Sequence, residues 1–399
     1  MAGKILDGIK VVDFTIALAG PYSASVLKNL GADVVKVENI TELDRDGAAG
    51  KHGVGCFFGN ANEGKKSVTI NMKTPEGKEL FAGLVKEADV LIENFRPNAL
   101  NKLGFSYEVC KELNPNIIYG SISGFGLTGD YKTYPGFDII GQGMGGAMSV
   151  TGLPGREPLV PGAPQGDISA GINLAGAVLA ALVRRQKTGK GEKIEVALID
   201  SIVSGQIDKM AMAQFGYVPG LIGNRDDRVA GPADGYFTKD RYVIISCETQ
   251  KEFESLMKVM GREDLISDPR FAEYGARWKS ANLDGDPLYP IVAEWVKTKT
   301  TEELEKICVE AEIPMSPVRD FKEMWECKQL HEDRKMFLDV PFSDGVMTVV
   351  RGTPVKMSEY PGGVDRAVSF HGEDNDAVFG ALGYSAEQLA ELREKKVIK

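Results

Sequence analysis

Six short runs of β-branched and aliphatic residues recur along the first half of the chain: Ile9 to Thr15, Asp33 to Glu38, Ser67 to Asn71, Val90 to Glu93, Ile117 to Ser121 and Lys193 to Leu198. Short runs of this kind are the pattern of strands, and Asp33 to Glu38 reads as a buried one. Helical patterns stand between them. Pro21 to Asn29 carries a proline suited to a first turn. Thr74-Pro75-Glu76 opens a helix reaching to about Ala88, and a small-residue and aliphatic stretch runs from about Ile168 to Arg185. Strands alternating with helices predict parallel pairing through right-handed crossovers, and so a Rossmann-like open α/β sheet. Ligand sites in such sheets lie at the carboxyl ends of the strands.

Between Gly216 and Gly235 the composition turns to Gly, Pro, Asn and Asp, a linker signature. Beyond it, Tyr242 to Cys247 reads as a strand, and Thr249 to Val259, Ala293 to Thr298 and Thr301 to Ala311 read as helices. This is a smaller α/β domain, closed by Ile313-Pro314-Met315-Ser316-Pro317. After about Pro341 the pattern returns to strand and loop, then to an amphipathic helix from Ser385 to Lys395. A chain of 399 residues exceeds what one core usually serves. The predicted layout is a large domain over 1–200, a linker over 201–224, a small domain over 225–317, a return linker over 318–350 and a C-terminal part over 351–399.

The 43% hydrophobic and 26% charged content is that of an ordinary globular protein. A net charge of −10 opposes general binding to nucleic acid or an anionic membrane, although a local basic pocket for phosphates remains compatible with it. Cys56, Cys110, Cys247, Cys308 and Cys327 are scattered and lack CxxC spacing, which reads as reduced cytoplasmic thiols rather than disulfides or a zinc site. His52, His331 and His371 also lack ligand spacing, and no metal is expected. The N-terminal MAGKILDGIK has no apolar signal-peptide core. The longest uncharged run, Ile168 to Val183, falls short of a membrane span and reads as a buried core helix. The turn after the first strand, Phe14 to Gly20, holds one glycine where a dinucleotide fingerprint needs GxGxxG, which disfavours a nicotinamide oxidoreductase.

One carboxylate stands out. In VPGAPQGDISAG, Val160 to Gly171, the Gly/Pro-rich loop Pro161 to Gly166 reads as non-helical and precedes the long apolar helix. Asp167 is thereby predicted near the N-cap, where side-chain oxygens accept from free N–H groups and the helix dipole favours the ionised form. The plain alternative is that Asp167 only caps the helix.

This segment resembles the active-site segment of the class III CoA-transferases, the CaiB/BaiF family that includes formyl-CoA transferase and alpha-methylacyl-CoA racemase. Further stretches match in order: Ile9 to Thr15 with Ala19-Gly20-Pro21, Leu30 to Glu38, Gly64 to Ser67 with Ile70 to Lys73, Glu93 to Pro97, Ser123 to Gly126, Pro135 to Asp138 and Thr188 to Gly191. The resemblance covers nearly the whole chain and is loosest between about 225 and 350. It implies CoA thioesters as substrates with no permanently bound cofactor, a C-terminal part that rejoins the large domain, and an interlocked homodimer. It also implies Asp167 as the nucleophile, forming first a mixed anhydride and then an aspartyl-CoA thioester from which an acceptor acid takes the CoA. For CoA it implies Ile16, Ala17 and Ala19 in the first loop, Ile70, Asn71, Met72 and Lys73 on the adenine side, Asn94, Phe95 and Ala99 in the next loop, Lys102 where some members have Arg, and Phe137 near the nucleophile. Lys65, Lys66, Lys73, Arg96 and Lys102 are basic residues near predicted strand ends, suited to the phosphates of CoA. Asn39 replaces a base common after the second strand.

Departures narrow the expectation. The racemase branch has His-Asp where this chain has Phe137-Asp138, and Phe cannot move a proton. Formyl-CoA transferase has a glutamine at the place of Leu18 and a glycine run that Asn224 to Gly235 lacks, so an oxalate/formate enzyme is not expected. Ile16, Leu18, Phe137, Met144 and Met148 suggest a larger or less polar acyl group, among 2-hydroxy, branched or enoyl acids. The expected activity is CoA transfer from an acyl-CoA to a carboxylic acid. The alternatives are a 2-methylacyl-CoA epimerase and a non-catalytic acyl-CoA binding protein.

Overall fold

A computed structural model describes residues 4–41, 45, 50–51, 53–283, 285–360 and 362–399. His52 lies outside them. The chain divides into two compact units, one of Met1–Ala147, Val160–Met212 and Cys327–Lys399, the other of Met148–Leu159 and Ala213–Glu326. These boundaries depart from the predicted ones. Residues 148–159 group with the second unit. The stretch 201–224, read as linker, holds the end of helix Leu198–Ser204 and helix Lys209–Gln214. The return stretch 318–350 holds helix Phe321–Glu326 and most of a β-hairpin.

In the first unit, β1 (Lys10–Phe14), β2 (Asp33–Glu38), β3 (Lys66–Thr69), β4 (Val90–Glu93), β5 (Ile118–Ser123) and β6 (Glu192–Ala197) form one parallel sheet in the order β3-β2-β1-β4-β5-β6. This is the predicted open α/β sheet. Its strand order reverses at β1, so the crevice for a ligand opens between the carboxyl ends of β1 and β4. Alternation along β1 sends neighbouring side chains to opposite faces. Val11 joins a core with Leu27, Val34, Ile92, Leu174 and Val178, under helices α1 (Ala19–Asn29) and α5 (Gln165–Thr188). Val12 joins the other core with Val37, Val68, Phe81 and Leu91, under α2 (Pro75–Glu87) and the C-terminal helices α9 (Asn375–Ala381) and α10 (Ala386–Glu394).

The edge strand β3 is closed by the C-terminal segment. Asp374 accepts from the Ser67 N–H at 2.8 Å, Asn375 pairs with Thr69, and the Val397 carbonyl accepts from the Asn71 N–H at 2.8 Å. These bonds occupy backbone groups that an open sheet edge would leave exposed. The hairpin β10 (Phe337–Pro341) and β11 (Met347–Arg351) belongs to the same unit. In the second unit β7 (Ala233–Phe237), β8 (Tyr242–Ser246) and β9 (Met315–Pro317) pair antiparallel. Helices α6 (Gln250–Val259), α7 (Leu288–Val296) and α8 (Thr301–Glu310) cover a core of Val243, Ile245, Phe253, Val292 and Leu304.

Helix α5 starts at Gln165, earlier than predicted, and its 24 residues are long and apolar enough to cross a bilayer by length and composition. It packs instead on α1 and β5, burying Ala170, Gly171, Leu174, Ala175 and Val178. The approach is close at Gly171, where an added Cβ would lie 2.9 Å from the Ala19 carbonyl oxygen and 3.3 Å from the Ser23 nitrogen. Gly171→Val is expected to destabilise the protein by roughly 1–3 kcal/mol through overpacking, read as a lower urea midpoint with the slope unchanged. An unchanged midpoint would show that the two helices are free to separate.

Candidate active site

The loop Pro161–Pro164 delivers the chain into α5 with Pro164 at the N-cap position, and proline offers no side-chain acceptor. The first N–H groups of the helix need another partner. Asp138, the first residue of α4 (Asp138–Met144), supplies it: its Oδ1 accepts from Gly166 N at 2.8 Å and from Asp167 N at 3.1 Å. Its Oδ2 accepts from the Gln142 side chain one turn along. A Cβ at Gly166 would sit 3.1 Å from Asp138 Oδ1, so the absence of a side chain there opens the approach. Asp167 is therefore not the N-cap but the third helical residue, and the capping role belongs to Asp138.

This leaves the Asp167 carboxylate without a hydrogen bond or ion pair among the described residues. It is half-buried, and burial, reinforced by the negative charge of Asp138, pushes its pKa up to about 6. At neutral pH such a group is still mainly ionised, with its oxygens uncommitted. That is the state a carboxylate nucleophile needs.

Helices α1 and α5 lie on one face of the sheet and both run back from its carboxyl edge. Ala19 faces Gly171, so Asp167, one turn of about 5.4 Å before Gly171, lies nearer the loop that precedes α1. That loop is firmly held. Asn94 clamps Ile16 with both ends of its amide, accepting from Ile16 N and donating to Ile16 O at 2.8 Å each. Ala17 stands in the left-handed region at φ 57°, a conformation costing a non-glycine residue roughly 1–2 kcal/mol. Ile16 and Ala17 are exposed and Ala19 is buried. Phe95 packs edge-on to Phe14 beneath them, with ring centroids 4.7 Å apart.

The structure thus brings Ile16, Ala17, Ala19, Asn94 and Phe95 together at the switch point. Phe137, 65% exposed, adjoins Asp138. Arg96 lines a cavity of about 290 Å³ with Glu93, Asn98, Ser121, Lys132 and Lys193. Burial raises the pKa of the Glu93 carboxyl there despite its hydrogen bond from Ser121. Ala99 is half-buried at the start of α3 (Ala99–Leu103), whereas Lys73 and Lys102 are exposed.

Several predicted contacts are corrected. Lys65 is no free phosphate ligand: it is fully buried and its ammonium is bonded to Asp13, the Pro21 and Ala61 carbonyls and Asn62. Burial pulls its pKa down to about 8 even though Asp13 opposes the shift. Burial by itself would raise the pKa of Asp13, but Lys36 and Lys65 together hold it below the usual carboxylate value. Lys66 begins β3 at the amino edge of the sheet, paired with Asp33 at 2.8 Å and lining a separate cavity, so the strand direction carries it away from the site. Ile70 and Met72 bury their side chains in the core, and Asn71 is tied to the C-terminal segment by both its N–H and its side-chain amide, so none of these three side chains is free for a ligand. Leu18 is buried rather than lining an opening, and Met148 belongs to the second unit. Glu38, at the end of β2, gives both oxygens to Arg45 and Ser67 and so is not free for a nucleotide ribose.

The sequence reading missed Asp13 and Lys36. Their signal was a charged residue inside an otherwise apolar strand. The capping role of Asp138 has no local signal in the sequence, because it reaches a helix 28 residues away.

The family model for "CoA-transferase family III" matches residues 6–375. Among similar proteins, the succinate–glutarate CoA-transferase of Agrobacterium fabrum is 33% identical over 94% of this chain and 95% of its own length. A formyl-CoA:oxalate CoA-transferase of Streptomyces coelicolor is 31% identical over 100% of both chains. The crystal structure of a CAIB/BAIF family protein from Brucella suis superposes with a TM-score of 0.82 at 34% identity, covering 95% of this chain and 100% of that one.

The raised pKa of Asp167 has a consequence for stability. Folded Asp167 holds a proton more readily than the unfolded chain, whose Asp titrates near 3.9. Its ionised form therefore opposes folding above about pH 6, and that cost fades as pH falls through 6 towards 4. Two pKa units correspond to at most about 3 kcal/mol, less after solvent screening of a half-buried group. Asp167→Asn is expected to melt above the wild type at pH 8 and to match it at pH 4. Coincident melting curves at pH 8 would count against the raised pKa.

Proposed function

This chain belongs to CoA-transferase family III, and we propose that it moves CoA from an acyl-CoA thioester to a free carboxylic acid through a covalent intermediate on Asp167. The observation that carries this reading is the uncommitted carboxylate of Asp167, half-buried at a helix start that Asp138 already caps.

In the first step an Asp167 oxygen attacks the thioester carbonyl carbon. The tetrahedral oxyanion collapses, the C–S bond breaks, and CoA leaves as thiolate from a mixed anhydride. The thiolate then attacks the aspartyl carbon, expelling the donor carboxylate and leaving an aspartyl-CoA thioester. The acceptor carboxylate attacks that thioester, and the released thiolate takes the acceptor's acyl carbon from the second anhydride, which restores Asp167. Each step conserves one negative charge, so no proton need move. The helix start and the nearby loop amides favour the oxyanions.

For CoA, the reading uses the main chain of Ile16, Ala17 and Ala19, Asn94, Phe95 and Ala99 beside them, and the exposed cations Lys73, Arg96 and Lys102. Ile16, Phe137 and Met144, all exposed, support an acyl chain of 2-hydroxy, branched or enoyl type. The exposed apolar side chains Ile139, Ile140, Ile172 and Val183 on α4 and α5 support an interlocked homodimer that covers them. An epimerase needs a second proton carrier, and Asp138 is committed to the helix start while Phe137 has no proton to give.

Intact-protein mass spectrometry after incubation with an acyl-CoA panel tests the reading. A CoA-sized adduct is expected on wild type, mapped to Asp167 and absent from Asp167→Ala. Proton exchange at an alpha carbon with no adduct from any thioester would overturn it in favour of the epimerase. Because the attacking carboxylate must be ionised, kcat/KM is expected to fall as pH drops below about 6. A profile flat down to pH 5 would remove Asp167 as nucleophile.

A further inference from the structure

Beneath the loop that joins β1 to α1 lie two lysines and one aspartate whose charges do not balance. Asp13, Lys36 and Lys65 are 0%, 2% and 0% exposed. Lys65 lies 2.7 Å from Asp13, so that carboxylate is paired before Lys36 is counted. Lys36 stands 3.7 Å from Asp13. Other acids near the cluster are committed elsewhere, Glu63 to Arg351 and Glu38 to Arg45 and Ser67. Lys36 therefore shares the Asp13 carboxylate with Lys65 rather than holding one of its own, and an apolar chain of similar length would fill the same space. What Lys36 adds is a hydrogen bond: its Nζ donates to the Thr15 carbonyl at 2.9 Å. The Thr15 hydroxyl in turn donates to Asp13. The N–H of that same Thr15–Ile16 peptide and the Ile16 carbonyl of the following one are the two groups held by Asn94, and the next residue is left-handed Ala17.

We infer that Lys36 is a positioning residue for the acyl-CoA site, its ammonium holding the carbonyl of the Thr15–Ile16 peptide while Asn94 holds the N–H of that peptide and the carbonyl of the next, so that the Ile16–Leu18 turn is preformed before substrate arrives. Lys36 touches no substrate and acts through the loop. The inference rests on the reading of this loop as part of the CoA site. It differs from a purely structural role in a measurable way. Removing Lys36 deletes a surplus cation and leaves Asp13 and Lys65 charge-balanced, so stability should hold while the loop loosens.

The test compares wild type, Lys36→Met and Lys36→Gln in the full chain, by melting, by amide hydrogen exchange without substrate, by calorimetric binding of CoA and by steady-state kinetics. Lys36→Met is expected to melt within a few degrees of wild type. Its amides at 16–18 should exchange about tenfold faster, and its Kd for CoA and KM for acyl-CoA should rise about tenfold, the loss of one hydrogen bond from a charged donor. Lys36→Gln keeps an N–H for the Thr15 carbonyl and should recover to within about threefold of wild type. Unchanged loop exchange in Lys36→Met would overturn the inference, as would a large fall in melting temperature that Lys36→Gln does not repair. If Lys36→Met does not fold, Thr15→Val must loosen the same amides by removing the bond to Asp13, and unchanged exchange there overturns the inference equally. Failure of the transfer reading shows separately, as wild type forming no adduct on Asp167, while loop exchange, read without substrate, still decides whether Lys36 positions the turn.

Discussion

The first N–H groups of α5 determine what Asp167 is able to do. A helix start demands acceptors, and a carboxylate at the third position is well placed to supply one for itself. Had Asp167 turned back onto its own helix, its oxygens would be engaged and its pKa low. Asp138 reaches across from α4 and takes those donors instead, with Gln142 fixing its second oxygen. One carboxylate is spent on structure so that another, close enough to feel its charge, stays free and partly desolvated. The reactive character assigned to Asp167 follows from that division of labour.

The rest of the site follows from the sheet. Reversal of strand order at β1 opens a crevice between two successive loops in space, those after β1 and β4, although nearly eighty residues separate them in the chain. Asn94 bridges that crevice by pairing with the Ile16 peptide, and the close contact at Gly171 brings the α5 start down beside it. Ion pairs behind the loop are buried, where one cation stands in surplus and every geometric bond counts more than at the surface. Basic residues that look equivalent in the chain therefore do different work. Lys65 holds the interior together, Lys66 decorates the opposite edge, and Arg96, Lys73 and Lys102 remain accessible to an anion.

Periodicity was enough to reveal most of the large sheet. Its inner strands are buried on both faces, so they read as largely apolar runs, whereas the edge strand β6 alternates with exposed Lys193 and Glu195. The start of α5 was misplaced because its cap is a distant side chain rather than a local Ser, Thr or Asp. The stretches 201–224 and 318–350 read as linkers because their helices and strands are short and weakly patterned, and only packing makes them regular.

By itself, the sequence determined the parallel α/β sheet, the family to which the chain belongs and the singling out of Asp167, since local pattern and ordered motifs carry that information. Only the tertiary structure decided which charges are spent and which are free. Asp138 proved to be a cap, Lys65 and Lys36 interior cations, and Asp167 a carboxylate with no partner among the described residues. The reason is physical: the state of an ionisable group is set by burial and by partners within a few ångströms, and in this fold those partners come from strands and helices far apart along the chain.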